Sequence, residues 1–206
     1  MHRGTFITLE GAEGCGKTTQ IDLLAGYLRN KNFNVLVTRE PGGTRIGDEV
    51  RNILLNPELK EMNYRTEVLL YTASRAQLVS EIIAPALEEG KMVLSDRYID
   101  STFAYQGFGR GLPLSKLIDI NRWATQDINP DLTILLYFPT EDGLKRATVK
   151  KTDRMEQEDI EFHRRVQDGF LNLAQLYPDR YQVIDAAGSE EEVHKKILKV
   201  LEEFLW

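Results

Sequence analysis

At 206 residues and a formal net charge of −6, the chain can bury a substantial core as one domain, residues 1–206, and lacks the cationic surface that nucleic-acid binding requires. Its 42% hydrophobic and 28% charged residues are ordinary for a globular protein, and no apolar run is long enough to span a bilayer. Cys15 is the single cysteine, so no internal disulfide is possible and a reducing, cytoplasmic setting is expected.

The first apolar stretch, Thr5-Phe6-Ile7-Thr8-Leu9, is rich in β-branched residues and predicts a buried strand. It runs into Gly11-Ala12-Glu13-Gly14-Cys15-Gly16-Lys17-Thr18, which satisfies the phosphate-loop pattern G-x-x-x-x-G-K-[ST] at every fixed position. Beyond it, Ile21, Leu24, Ala25 and Leu28 recur at helical spacing and predict a helix from Lys17 to Asn30. Strand, glycine turn and helix in that order aim backbone N–H groups and a positive helix end at one point, where a phosphate binds. Lys17 is expected to reach the β- and γ-phosphates and the Thr18 hydroxyl to ligate Mg²⁺. The thiol of Cys15, at the same helix start, is expected to be alkylated in the empty protein and protected by nucleotide.

Phe33–Thr38 reads as a second strand, and Arg39-Glu40-Pro41-Gly42-Gly43-Thr44 as the loop after it. A short helix is expected over Glu49–Leu55. A long one follows over Thr66–Glu89, with Val68, Thr72, Ala76, Val79 and Ile83 on one face and Pro85 kinking its end. Met92-Val93-Leu94 is a short strand leading into Ser95-Asp96-Arg97-Tyr98. A helix from Ser101 is ended by Gly107-Phe108-Gly109-Arg110-Gly111, and Leu117–Ala124 is helical again. Leu132–Phe138 is the fourth strand. Thr140 reads as the N-cap of a helix to about Thr148, with a charged lid loop over about 147–157. A helix over Glu156–Tyr177, a strand over Tyr181–Ile184 and a helix from Glu190 complete the chain.

This alternation predicts an α/β fold, a three-layer αβα sandwich around a five-stranded parallel sheet. Ligands of such folds collect beyond the carboxyl ends of the strands, so Glu40, Asp96 and the phosphate loop share one edge. Asp96, at the end of an apolar strand, is the second candidate ligand of Mg²⁺. A guanine-nucleotide switch is disfavoured. Asp185-Ala186-Ala187-Gly188 has the D-x-x-G spacing but follows the last strand, and Asn30-Lys31-Asn32-Phe33 lacks the Asp of a guanine reader.

Arg39-Glu40-Pro41-Gly42-Gly43-Thr44, Asp96-Arg97-Tyr98, Ala104-Tyr105-Gln106-Gly107 and Asp153-Arg154-Met155-Glu156, with the phosphate loop, together resemble the bacterial type of the thymidylate kinase family. The resemblance spans essentially the whole chain. It implies a nucleoside monophosphate kinase that transfers the γ-phosphoryl group of MgATP to dTMP. Gly11 to Thr18 would then bind ATP, and Arg97 would contact the transferring and acceptor phosphates. Arg39 or Arg51 would hold the monophosphate, Tyr71 would stack on thymine, and Arg75 would meet its O4. Thr102 and Gln106 would sit at the other base edge, with Tyr105 under the deoxyribose and Glu13 on the 3′-hydroxyl. The resemblance also implies a cis bond before Pro41 and a homodimer contacting through the long helix. Family members often carry a lid arginine. Here the loop tip offers Lys150 and Lys151, with Arg146 and Arg154 at its borders, and Arg154 is the residue expected to meet phosphate or adenine. Another nucleotide or deoxynucleoside kinase, with Glu40 as base, and a non-enzymatic nucleotide switch are the competing readings.

Overall fold

A computed structural model describes residues 4–147 and 153–205. The five strands are β1 Thr5–Glu10, β2 Val35–Arg39, β3 Met92–Asp96, β4 Leu132–Tyr137 and β5 Tyr181–Asp185. All pair in parallel, in the order β2-β3-β1-β4-β5. Helices α1 Lys17–Asn30 and α9 Glu190–Leu205 cover one face of the sheet through Leu24, Leu28, Ile197 and Leu201. The other face carries α3 Tyr64–Leu78, α4 Ala84–Glu88, α6 Leu114–Thr125 and α8 Ile160–Leu176.

Both faces are buried, and period-two alternation assigns each strand residue to a side. Phe6, Val93 and Leu135 enter the core under α3 and α8, while Ile7, Leu94 and Leu136 enter the core under α1 and α9. The expected three-layer sandwich is therefore observed.

The remaining helices are α2 Arg45–Leu55, α5 Ile99–Thr102 and α7 Thr140–Ala147. Helix α2 starts earlier than the apolar pattern suggested, because Thr44 caps it by accepting from the Gly47 N–H at 3.0 Å. Thr140 begins α7 rather than preceding it, and its hydroxyl bonds Gln167. Likewise α8 starts at Ile160, capped by Asp159, later than the expected Glu156.

The long helix is not a simple kinked rod. Between α3 and α4 a π-helical turn, Val79–Ile83, sits just before Pro85. Proline has no N–H and its ring crowds the carbonyl four residues back, so a widened turn accommodates it. A second π-helical stretch, Phe103–Gly109, follows α5 and carries Tyr105 and Gln106. The Glu40–Pro41 bond is cis, as the resemblance implied. Residues 148–152, which include Lys150 and Lys151 and the centre of the expected lid, lie outside the described residues.

Candidate active site

The sheet register puts Leu9 and Arg39 opposite Asp96, so β1, β2 and β3 end together. Beyond these ends lies a cavity of about 910 Å³. Glu13, Gly14, Gly16, Lys17 and Thr18 line it from the phosphate loop, while Gly11, Ala12 and Cys15 are buried. The loop presses on α7 closely enough that a Cβ on Gly14 would lie 2.0 Å from the Gly143 carbonyl oxygen. Gly14 also has φ +71°, so neither the space nor the backbone admits a side chain. Lys17 Nζ donates to the carbonyls of Gly11 at 3.1 Å and Ala12 at 2.9 Å.

Thr18 Oγ1 donates to Asp96 Oδ2 at 2.8 Å, which places a hydroxyl and a carboxylate side by side on the wall. Two hard oxygen donors fit Mg²⁺, which keeps several waters and borrows phosphate oxygens instead of entering an all-protein cage. Among the described residues no three His, Cys, Asp or Glu side chains gather as a metal site.

Arg97 is the most connected side chain on the wall. Its Nη1 donates to Gly11 O at 3.0 Å and Ser101 Oγ at 3.1 Å, and its Nη2 to Glu13 Oε1 at 2.7 Å and Tyr105 Oη at 3.1 Å. The backbone of Arg97 has φ +73°, a conformation that non-glycine residues adopt rarely. It is held there by the Arg97 N–H to Leu9 O at 3.0 Å and by the next N–H, of Tyr98, to Glu10 Oε1 at 2.7 Å. Burial pushes the guanidinium down, but Glu13, Tyr105, Glu10 and Asp96 outweigh it, and Arg97 stays charged. Glu13 is also pushed up by burial, yet Arg97 and Lys17 hold it down at about 2.

A second group of side chains lines the same cavity: Arg39, Pro41, Arg51, Tyr71, Thr102, Tyr105 and Gln106. Arg51 Nη1 donates to Pro41 O at 2.8 Å. Its guanidinium is pushed down by burial and then by Arg39, so two like charges face one space. Arg39 itself is exposed and only 3.7 Å from Asp48, a loose surface pair.

Two arginines of the sequence reading are not on the wall. Arg75 is 1% exposed, and every N–H of its guanidinium is taken. Nε donates to Glu40 Oε2 at 2.7 Å, Nη1 to Thr102 Oγ1 at 2.9 Å and Asn121 Oδ1 at 2.5 Å, and Nη2 to Tyr98 O at 3.0 Å and to Glu40. It stands behind the cavity as a strut for Thr102 and Glu40, so direct contact with a base would break one of these bonds. Arg154 is also buried. Its Nη1 pairs with Glu67 Oε2 at 2.6 Å and its Nε donates to Leu54 O at 2.9 Å, which draws it away from the cavity. The border cation that does line the cavity is Arg146, stacked 4.0 Å from the Phe138 ring centroid.

Sequence reasoning passed over Glu10 and Glu67. Glu10 ends a buried strand immediately before the phosphate loop, and Glu67 lies one helical turn before Tyr71. Both positions were legible signals that a carboxylate faces the site from beneath.

The family model for thymidylate kinase matches residues 9–197. The chain belongs to the thymidylate kinase family. A curated relative named thymidylate kinase, from Caldanaerobacter subterraneus subsp. tengcongensis, is 48% identical over 203 residues, covering 98% of this chain and 97% of its own. Another of that name, from Pelotomaculum thermopropionicum, is 49% identical over 205 residues, with 98% and 95% covered. The crystal structure of thymidylate kinase from Ehrlichia chaffeensis superimposes with a TM-score of 0.80 at 36% identity, covering 97% of this chain and 99% of that one. Membership in this thymidylate kinase family and the parallel sheet with helices on both sides agree with the fold expected from the sequence.

Proposed function

We propose that the protein transfers the γ-phosphoryl group of MgATP to dTMP, yielding ADP and dTDP. One observation carries this reading. A single cavity is lined by the phosphate loop and by a second cationic and aromatic group of Arg39, Arg51, Tyr71 and Gln106, with Arg97 on its wall bonded to the loop. Two anions can thus meet in one space with a fixed cation beside them.

The acceptor is a phosphate monoester, largely dianionic at neutral pH because its second pKa is about 6. An acceptor oxygen attacks the γ-phosphorus, the bond to the β-phosphate oxygen breaks, and ADP departs. No general base is required. Relief of repulsion is required, together with donors fixed where charge develops. Lys17 and Arg97 supply these, and Arg39 and Arg51 hold the monophosphate. Mg²⁺, held by Thr18, Asp96 and triphosphate oxygens, would supply further charge neutralisation.

Glu13 accepts from Arg97 and Tyr105 through Oε1 alone, at 2.7 and 2.6 Å. That leaves Oε2 as an acceptor for the 3′-hydroxyl of a deoxynucleotide. We assign Lys150 and Lys151 to the lid loop over about 147–157, Arg146 to its border at the end of α7, and Arg154 to its anchorage. A deoxynucleoside kinase would need a free carboxylate as base, and Glu40 is instead pushed up by burial and tied to Arg75.

We read the enzyme as a cytoplasmic homodimer. Helix α3 packs between α2 and α6, and Ile53, Leu69 and Trp123 on these helices are exposed apolar residues that a second copy would cover. No helix among the described residues is long and apolar enough to cross a membrane. Sedimentation velocity should find a dimer that Leu69→Glu dissociates. The test of function is a coupled assay of ADP release with dTMP, dUMP, AMP and thymidine. Turnover with dTMP at least about tenfold above AMP and thymidine is expected, and equal use of AMP would overturn the substrate assignment.

A further inference from the structure

Glu67 in α3 is fully buried, and donors crowd both of its oxygens. Oε1 accepts from Gln106 Nε2 at 2.9 Å and Arg110 Nε at 3.3 Å, and Oε2 accepts from Arg110 Nη2 at 3.1 Å and Arg154 Nη1 at 2.6 Å. Burial pushes this carboxyl up, but Arg110, Gln106 and Arg154 outweigh it and hold it below the usual carboxylate range. It is therefore ionised and accepts only.

A primary amide has a donating end and an accepting end, and its neighbours decide which way each faces. With Nε2 committed to Glu67, the amide of Gln106 cannot turn over without setting its oxygen against a carboxylate. Gln106 lines the cavity beside Tyr71 and Thr102, and among the described residues no group donates to its Oε1. Thr102 is polarised in the opposite sense. Arg75 Nη1 donates to Thr102 Oγ1 at 2.9 Å, and no described group accepts the hydroxyl's own hydrogen, so the hydroxyl remains a donor.

We infer that Glu67 is a positioning residue for base selection: by taking Gln106 Nε2 it leaves Oε1 as a fixed acceptor, which selects a pyrimidine presenting an N–H donor at that point. This rests on the assignment of dTMP as acceptor. A donor from Thr102 beside an acceptor from Gln106 complements the O4 and N3–H edge shared by thymine and uracil. Cytosine reverses both groups, offering an amino donor and a bare ring nitrogen, and would leave buried polar atoms facing like atoms. Arg75 acts on the base edge through Thr102, and Glu67 acts through Gln106.

The test is the ratio of kcat/KM for dTMP over dCMP, with dUMP as control. In Glu67→Gln the amide of Gln106 gains a partner that can donate or accept, so the ratio should fall by about tenfold or more. The ratio of dTMP over dUMP should stay within about twofold, because both bases carry the N3–H. A merely structural Glu67 would lower all three substrates by the same factor, which would overturn the inference. Gln106→Leu preserves the ion pairs of Glu67 and decides the matter should Glu67→Gln fail to fold. It should reduce the dTMP over dCMP ratio equally, and adding Glu67→Gln should then change the ratio no further. An unchanged ratio in Gln106→Leu would also overturn it. Wild-type enzyme that does not phosphorylate dTMP would instead remove the functional reading itself.

Discussion

Arg97 donates from Nη2 to Glu13 Oε1 at 2.7 Å while its own backbone stands at φ +73°, so a rarely adopted conformation aims the guanidinium into the phosphate loop. Four side-chain hydrogen bonds, to Gly11, Ser101, Glu13 and Tyr105, fix its direction before any substrate arrives. Such fixed charge stabilises a transition state without reorganisation. Arg97→Ala should therefore lower kcat by about two orders of magnitude or more. Arg97→Lys should fall in between, because an ammonium keeps the charge and loses the planar fork. Undiminished turnover in the alanine variant would take Arg97 out of the catalytic group.

The pairing of Thr18 with Asp96 at 2.8 Å leads to a metal prediction. Chelation should abolish phosphoryl transfer and added Mg²⁺ should restore it. Asp96→Asn keeps a partner for the Thr18 hydroxyl but removes the negative charge, so half-maximal activity should require about tenfold more Mg²⁺ or greater. Full rate in the presence of excess chelator would dismiss the two residues as metal ligands.

Cys15 is 4% exposed and packs with Ile7, Ile21 and Leu136, so the alkylation expected from its neighbours in sequence is not available to the folded protein. A small alkylating reagent should leave the native thiol intact and modify it completely in denaturant, as read by intact mass. Rapid labelling of the native enzyme, with protection by ATP, would reinstate the accessible thiol.

Glu10 supplies a pH dependence of stability. Its carboxyl is pushed up to about 8 by burial and then by Asp100, against the opposing pull of Arg97, Ser101 and the Tyr98 N–H. Since the folded value lies above the unfolded one, the folded state holds a proton between about pH 4.5 and 8 that the unfolded state has released. Stability from this group is full below that window and declines as pH rises through it, by at most about 1.4 kcal/mol per pH unit. Glu10→Gln cannot titrate, so its melting temperature relative to wild type should increase steadily across the window. A difference independent of pH would contradict the assignment.

Much of this architecture was legible along the chain. The apolar runs of β1, β3 and β4 announced themselves because strands buried on both faces need no polar alternation. Helix α1 was readable to its ends, Lys17 and Asn30, since a glycine turn and a regular apolar stripe bound it. The edge strand β2 was placed two residues early at its start, where half-buried side chains weaken the pattern. The π-helical stretch bearing Tyr105 and Gln106 was not visible at all, because its hydrogen-bond register depends on packing against α8 and α6.

By itself the sequence determined the phosphate loop, the sheet edge that receives it and the residue types gathered there, because each depends on neighbours within a few positions. Only the tertiary structure decided which cations face the cavity. Arg39, Arg51, Arg97 and Arg146 line it, whereas Arg75 and Arg154 turn inward to Glu40 and Glu67. The physical reason is that a guanidinium is buried only where carboxylates and carbonyls meet all of its donors. Those partners come from distant stretches that folding alone brings together.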